Sequence, residues 1–294
     1  MPELPEVETI RRQLEPELTG ARIEGLEVLD ERWTRPGEPA AVERAVAGRR
    51  IEAVERRGKY LIVKLEGDVA LVMHLRMTGN LVLESRRLGG GRLYESSPDE
   101  RYLRARIVLA DGQELWFTDP RRFGHGAALF GVELGEYLDS RLGIEPLSEE
   151  LTVEALGAIA AGRTVPLKSF LLAQQGVAGL GNIYADEALH RAELHPLSPA
   201  GSMRAEHLEA LREGIVAALE AGLANGGASI DDYLDARGES GSMQDEFLVH
   251  TREGKPCPRC NETIRRIVVS GRSTYFCPAC QVRLRGRPKR RGKR

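Results

Sequence analysis

Four cysteines offer the clearest chemistry in the sequence. They are the only cysteines among 294 residues and form two C-x-x-C pairs, Cys257 with Cys260 and Cys277 with Cys280. Two thiolates from each pair can bind one tetrahedral zinc ion, whereas disulfides are rare in intracellular chains. Protein ligands would fill all four positions, so we expect one structural Zn²⁺. The segment between the pairs has a β-hairpin pattern, and Arg272 beside its tip could reach a phosphate.

The first residues of the chain, MPELPEVET, crowd acids and prolines together. Pro5 predicts the first position of a helix, where the missing N–H costs nothing. Glu6 and Glu8 then lie in the first turn, where the helix dipole favours negative charge. Pro2 and Glu3 precede the helix, and the sequence reveals no capping or packing role for either. These two residues are therefore candidates for chemistry.

The elements that must position these residues change character along the chain. The first half has strand patterns with turn signals between them, which favours a β-sandwich or a barrel. The predicted strands are 22–29, 59–66, 69–76, 80–84, 101–110 and 114–118, and the glycine-rich segment 85–100 is predicted to be a loop.

From residue 132 onward the apolar residues recur at helical spacing. Helices are predicted within 132–142, 152–162, 165–176, 181–194 and 203–223. The polar, glycine-rich segment 225–246 is predicted to be a loop that is flexible or that orders on binding. The sequence therefore predicts an α+β protein with a cysteine-rich module at its end.

Charge is distributed unevenly along the sequence. The formal net charge is −2, yet residues 251–294 hold 14 Lys or Arg against 2 Glu. Such a basic segment is typical of contact with a polyanion, most often nucleic acid, although a basic tail can also be simply solvated. No apolar run is long enough to cross a bilayer, and the first residues are charged, so we expect an intracellular protein without membrane contact.

Six motifs in the same order closely resemble those of bacterial formamidopyrimidine-DNA glycosylases. They are MPELPEVET, RRGKYL (56–61), HLRMTG (74–79), DPRRFG (119–124), GLGNIYADEALH (179–190) and the double C-x-x-C. The resemblance implies an N-terminal β-sandwich domain, a C-terminal helix-two-turn-helix domain with a zinc β-hairpin, and damaged DNA between the domains. The expected divisions are a catalytic domain at 1–131, a helical domain with a lesion-capping loop at 132–246, a zinc finger at 247–282 and a basic tail at 283–294.

The resemblance also implies what Pro2 and Glu3 do. Removal of Met1 would expose the Pro2 nitrogen, which would attack the sugar C1′ of an oxidised purine nucleotide (8-oxoguanine or a formamidopyrimidine). The Schiff base would then permit β,δ-elimination at the abasic site, with Glu3 as general acid and Glu6 in support. An α-amine with a pKa of about 7.7 to 8 is roughly 10 to 15% neutral at pH 7, far more than an ordinary lysine.

Further site residues follow from the same resemblance. Lys59 would contact a phosphate or the damaged base in the active site, and Arg272 would complete the catalytic set from the zinc hairpin. His74, Asn182 and Tyr184 would bind backbone phosphates, the last two at the start of a helix.

An enzyme that extrudes a base must also fill the void that the base leaves. By resemblance, Met77 would occupy the gap, Phe123 would wedge between stacked bases and Arg121 would read the orphaned cytosine. The chain departs from the family pattern at Arg76, where a small residue is frequent, and at His250–Thr251, where Tyr-Gly is common.

Two other functions remain open. An endonuclease VIII-like glycosylase shares the proline chemistry but prefers oxidised pyrimidines, and a noncatalytic protein could bind lesions on the same scaffold. The expected partner is double-stranded DNA that contains an oxidised purine. A monomer is expected, in the bacterial cytoplasm and associated with the nucleoid through DNA.

Overall fold

The computed structural model describes residues 1–84, 99–230 and 233–285. Most of the predicted loop 85–100 and most of the basic tail lie outside this part of the chain. The described chain forms two compact units, one of Met1–Arg141 with Gly222–Asp245 and one of Leu142–Ala221 with Glu246–Arg294. This grouping places most of 225–246 with the N-terminal residues, and the domain boundaries predicted at 131 and 246 stay predictions.

The first unit contains two four-stranded antiparallel sheets and three helices. One sheet has the order β1-β6-β7-β5 and the other β2-β3-β4-β8. The strands are β1 (Ile23–Val28), β2 (Ile51–Arg57), β3 (Tyr60–Leu65), β4 (Val69–His74), β5 (Asn80–Glu84), β6 (Leu103–Leu109), β7 (Glu114–Thr118) and β8 (His125–Phe130), and the helices are α1 (Leu4–Leu18), α2 (Pro39–Val46) and α3 (Glu133–Asp139). Apolar side chains of α1, α2 and both sheets form one core.

Helix α1 begins one residue earlier than the sequence predicts. Leu4 is its first residue, Pro5 its second, and Glu3 is the N-cap. Glu3 and Glu6 form a capping box, in which the Glu3 amide donates to Glu6 Oε2 at 2.7 Å. The expectation that Glu3 does not cap the helix was therefore wrong. Glutamate is not among the preferred N-cap residues, which is why the pattern did not predict it.

Two strands and one helix were missed in the sequence. In strand β2 the buried residues Ile51 and Val54 lie three positions apart, so the strand lacks a period of two, and α2 has only 8 residues. Strand β8 contains the small residues Gly126, Ala127 and Ala128, and Gly126 faces the ring of Trp33. A Cβ on Gly126 would lie 2.2 Å from Trp33 Cη2, so only glycine fits between this strand and the indole.

The second unit consists of helices and a zinc hairpin. Its helices are α4 (Val153–Ala160), α5 (Leu167–Leu172), α6 (Asn182–Arg191) and α7 (Ala205–Ala224), which agree with the predicted helical segments. Strands β9 (Arg265–Val269) and β10 (Arg272–Phe276) pair around the turn Ser270–Gly271, where the hairpin tip was predicted. Within the described ranges, no helix is both long and apolar enough to cross a bilayer.

The contact between Gly126 and Trp33 yields a stability prediction. Gly126→Ala should lower the free energy of unfolding by about 1 to 3 kcal/mol, because the new methyl group forces Trp33 to move. Gly25→Ala on β1 is the matched control, since its Cβ would meet nothing within 4 Å. Chemical denaturation of both variants measures the difference, and equal stability would contradict the packing described.

Candidate active site

The start of α1 is a buried polar corner. Pro2 is buried, and Glu3 and Glu6 are each only 1% exposed. Glu6 Oε1 accepts a hydrogen bond from the Ala228 amide at 2.8 Å, while its other oxygen accepts from Glu3. One carboxylate therefore joins the residue next to Pro2 to a distant loop.

The loop approaches Glu6 closely because it has no side chain at the crossing point. A Cβ on Gly227 would lie 2.8 Å from Glu6 Cγ, and Gly227 has a φ of +85°. The Tyr233 hydroxyl lies 3.3 Å from both the Glu6 and the Gly226 backbone carbonyl oxygens and can donate a hydrogen bond to either. Burial, followed by the charges of Glu6 and Asp235, raises the pKa of Tyr233, so the hydroxyl keeps its proton.

Two more side chains, which the sequence analysis missed, bind the same loop. Gln13 donates to Asp235 Oδ2 at 2.6 Å and accepts from the Ala236 amide at 2.9 Å. Asn80 Oδ1 accepts from the Leu234 amide at 3.0 Å. Gln13 lies seven residues after Glu6 on α1, so the two face the same side of the helix. In its described part, the loop 225–246 is thus bound to the scaffold by side-chain hydrogen bonds.

Lys59 occupies a two-residue turn between β2 and β3. Arg57 pairs with Tyr60 across the turn, and Gly58 takes the positive φ of +56° that such a turn requires at its first position. Lys59 is only 5% exposed. Its charge contributes to lowering the pKa of His74, after burial and the charges of Arg76 and His125. Lys59 is therefore close enough to His74 for its charge to disfavour protonation of the imidazole.

His74 belongs to a cluster of rings at the ends of β4 and β8. Its Nδ1 accepts from the Arg76 amide at 2.9 Å, and its ring stacks on His125 with 5.7 Å between centroids. His125 Nε2 and the Tyr137 hydroxyl share a hydrogen bond of 3.1 Å. Burial, then Arg76 and Arg141, lowers the pKa of His125 to about 4, so the His125 ring is neutral at pH 7.

The residues expected to fill the void share one support. Met77 and Phe123 are 41% and 52% exposed, and the Arg121 guanidinium lies 4.9 Å from the centre of the Phe123 ring. Beneath them, fully buried Asp119 accepts from the amides of Arg121, Phe123 and Gly124 at 2.7 to 3.0 Å.

Thr78 connects the second loop to the same support. The Thr78 hydroxyl donates to Asp119 Oδ1, so the loop that carries Met77 is bound to the loop that carries Phe123. Asp119 and Thr78 were missed in the sequence, although an aspartate at the start of a Pro-containing turn is a known signal for side-chain acceptance of backbone N–H groups. A single carboxylate thus presents all three exposed side chains.

In the second unit, Asn182 is bound to the zinc hairpin. Its Nδ2 donates to the Ser273 carbonyl at 2.9 Å, one residue after exposed Arg272. Tyr184 follows on the same helix and is 0% exposed, and its role in phosphate binding stays a prediction. The residues of α6 from Ile183 to His190 are buried on all sides of the helix.

The four cysteines fit one tetrahedral ion. Their sulfur atoms all lie within 4.8 Å of one another. Zinc–sulfur bonds of about 2.3 Å place the sulfurs of a tetrahedral site roughly 3.8 Å apart. His190 Nε2, which the sequence analysis did not consider, lies 3.3 Å from Cys257 Sγ and connects α6 to the site. The cluster is a structural zinc site, with no position left for substrate.

Two carboxylates of α6 hold the chain before the zinc finger. Glu187 accepts from the amides of Leu248, Val249 and His250 at 3.0 to 3.1 Å. Asp186 pairs with Lys168 at 2.7 Å and with His250 Nδ1 at 2.8 Å, all buried. His250, one of the departures from the family pattern, is therefore part of a buried polar network.

Comparisons with known proteins identify the class. Three family models match: the formamidopyrimidine-DNA glycosylase N-terminal domain over residues 1–126, its H2TH domain over 142–233, and a zinc finger found in FPG and IleRS over 254–282. The fold and the cysteine site are thus those of a DNA glycosylase with a zinc finger.

Individual relatives agree along the whole chain. The formamidopyrimidine-DNA glycosylase of Chloroflexus aurantiacus is 42% identical over 97% of this chain and 99% of its own. Lactococcus lactis FPG is 33% identical, both in a mutant complex with a Fapy-dG-containing DNA (TM-score 0.85) and in a wild-type complex with an oxidised-pyrimidine-containing DNA (TM-score 0.84). Each covers 95% of this chain and 99% of the solved one. This chain belongs to the formamidopyrimidine-DNA glycosylase family.

The support beneath Phe123 can be tested by removing it. Asp119→Ala should lower the free energy of unfolding by about 2 to 4 kcal/mol, because it leaves buried amides without an acceptor. Thr78→Val removes the hydrogen bond to Asp119 and a long one of 3.4 Å from the Arg121 amide, which also donates to Asp119, and should cost about 1 kcal/mol. Urea denaturation gives both values. A loss in Asp119→Ala no greater than that in Thr78→Val would contradict the assigned role.

The depressed pKa of His125 predicts a pH dependence of stability. The folded state excludes a proton down to about pH 4, whereas the unfolded chain binds it below about pH 6.5. Stability should therefore be complete above pH 6.5 and fall as the pH decreases from there towards 4. Between pH 7 and 5, wild type should lose about 1 to 2 kcal/mol more than His125→Gln. Parallel stability curves for the two proteins would refute the prediction.

Proposed function

We propose that this chain is a base-excision-repair enzyme that removes oxidised purines from duplex DNA and then cleaves the strand. Family membership gives the reaction class, a glycosylase with abasic-site lyase activity. The observation that supports it most is the buried corner at Pro2, Glu3 and Glu6, because an ordinary helix start needs neither a buried acid at the N-cap nor a second acid bonded to a distant loop.

The proposed reaction begins at Pro2. With Met1 removed, the neutral Pro2 nitrogen attacks C1′ while the bond from C1′ to the damaged base breaks, and the base leaves with its electron pair. The proton that the Pro2 nitrogen then loses neutralises the departed base, and the nitrogen lone pair becomes available to form the double bond to C1′. Glu3 donates a proton to the sugar ring oxygen as the ring opens, and the product is a cationic iminium. This electron sink acidifies the C2′ proton, and its loss expels the 3′ phosphate; a second elimination expels the 5′ phosphate.

The remaining groups bind the substrate in this proposal. Buried Lys59 contacts a phosphate or the damaged base, and His74 donates from Nε2 to a phosphate, since its Nδ1 already accepts from the Arg76 amide. Arg272 and Asn182 bind phosphates from the zinc hairpin and from α6. Asn182 uses its amide for the hairpin contact as well, so its role includes positioning Arg272.

Base extrusion is assigned to the exposed trio. Phe123 wedges between stacked bases, Met77 fills the gap and Arg121 reads the orphaned cytosine. Tyr184, in the first turn of α6, is assigned to the same backbone phosphate as Asn182. The loop 225–246 caps the extruded nucleobase, and the start of this loop is held by the hydrogen bond from the Ala228 amide to Glu6. We also propose that the protein acts as a monomer in the bacterial cytoplasm, at the nucleoid.

The substrate class is tested by single-turnover excision from matched duplexes. We expect faster excision of 8-oxoguanine opposite cytosine than of an oxidised pyrimidine such as dihydrouracil. Glu3→Gln should slow excision by about 10²-fold or more, as expected for loss of a general acid. Gln13→Glu, which disturbs the loop but not the acid, is the control for indirect effects. Faster excision of the pyrimidine would favour the endonuclease VIII-like function, and binding without excision of either lesion would favour the noncatalytic one.

A further inference from the structure

Arg76 adopts an unusual backbone conformation beside the ring cluster. Its φ is +57°, in the left-handed region that favours glycine, yet the residue is an exposed arginine. Along the described ranges its guanidinium forms no ion pair and no hydrogen bond. A side chain with a Cβ at such a position is disfavoured by the backbone, so the folding of the loop does not account for it.

The neighbours of Arg76 are cations and neutral donors. The Arg76 amide donates to His74 Nδ1 at 2.9 Å and the His74 ring stacks on His125, so Arg76 lies beside this pair of rings, and its charge lowers the pKa of each. Arg141 also lowers the pKa of His125 and lies 3.9 Å from the centre of the Tyr137 ring. Its Nη1 donates to the Tyr137 carbonyl and the Ser140 hydroxyl at 2.8 Å, which fixes its position without neutralising it.

In the described part of the chain, carboxylates do not balance these charges. Helix α3 carries Glu133, Glu136 and Asp139, but Glu133 accepts from the Phe130 amide at 2.9 Å. Within the described chain, neither Arg76 nor Arg141 has an acidic side chain within ion-pair distance. Arg76 lies beside His74, and Arg141 lies over Tyr137, which is hydrogen-bonded to His125. This group of rings therefore carries two cations and is complementary to an anion.

We propose that Arg76, Arg141 and the His125–Tyr137 pair bind a DNA phosphate that is distinct from those assigned to His74 and Lys59. This inference rests on the proposed function for the nature of the polyanion. Arg76 provides the charge, Arg141 is held in place by α3, and the neutral rings limit the space. Phosphate binding would thus explain why an arginine occupies a position whose backbone conformation favours glycine.

The left-handed φ of Arg76 supplies a clean variant. Arg76→Gly removes the cation while it suits the backbone, so the melting temperature should stay the same or rise. We expect weaker binding to a duplex with a tetrahydrofuran abasic analogue, by severalfold near 0.1 M salt. The slope of log K against log salt should decrease in magnitude by about 0.9, the value for one phosphate.

A matched control removes the same charge elsewhere in the first unit. Arg44 on α2 is exposed, and Arg44→Gln should leave both affinity and salt slope unchanged. Arg141→Gln should reduce the slope in the same direction as Arg76→Gly. A wild-type salt slope and affinity in Arg76→Gly, or an equal change in Arg44→Gln, would overturn the proposal.

Neutral phosphate analogues identify the contact itself. In a scan of single methylphosphonates along both strands, one position should weaken binding of wild type but not of Arg76→Gly. If every position affects both proteins equally, the proposal is wrong. Excision by the wild-type protein is measured separately. If wild type excises the lesion normally but Arg76→Gly has the wild-type salt slope, only the anion site is refuted. An altered slope in a protein that excises nothing refutes only the proposed function.

Discussion

The hydrogen bonds of the Glu6 carboxylate are the interaction on which the candidate active site depends. One oxygen accepts from the Glu3 amide and completes the start of α1, and the other accepts from the Ala228 amide. Burial of a carboxylate is costly unless its oxygens receive donors, and backbone amides supply charge-assisted bonds. Because Gly227 leaves no space between the loop and Glu6, the loop, the helix start and the residue next to Pro2 hold one arrangement.

The same device recurs at the other functional segments. Asp119 accepts hydrogen bonds from three amides of the turn that follows it and supports the loop of Arg121 and Phe123. Glu187 accepts from backbone amides of the segment that leads into the zinc finger. In each case a buried carboxylate accepts hydrogen bonds from backbone amides of a loop, and the exposed side chains of that loop remain available to contact a partner. This separation explains how loops that carry exposed apolar residues such as Phe123 can be well ordered without packing into the core.

Local patterns in the sequence predicted the cysteine site, the hairpin tip and most helices, because spacing and periodicity determine them. The cap at Glu3 was missed, since N-cap preferences favour shorter polar residues. Gln13 could not be assigned a role because its partner Asp235 is brought near only by tertiary folding, whereas the local amide partners of Asp119 could have been predicted from its turn. Arg76 and Thr251, both flagged as departures from the family pattern, share a positive φ, which physically accounts for small residues at such sites.

The central claim is that the chain acts through an amine at Pro2, held in place by the Glu3–Glu6 corner. The most direct measurement is borohydride reduction of the Met-processed protein with a duplex that contains 8-oxoguanine opposite cytosine, followed by mass spectrometry of the crosslinked peptide. The account predicts a stable adduct on Pro2. An adduct on a lysine, or no adduct while the base is still excised, would contradict it.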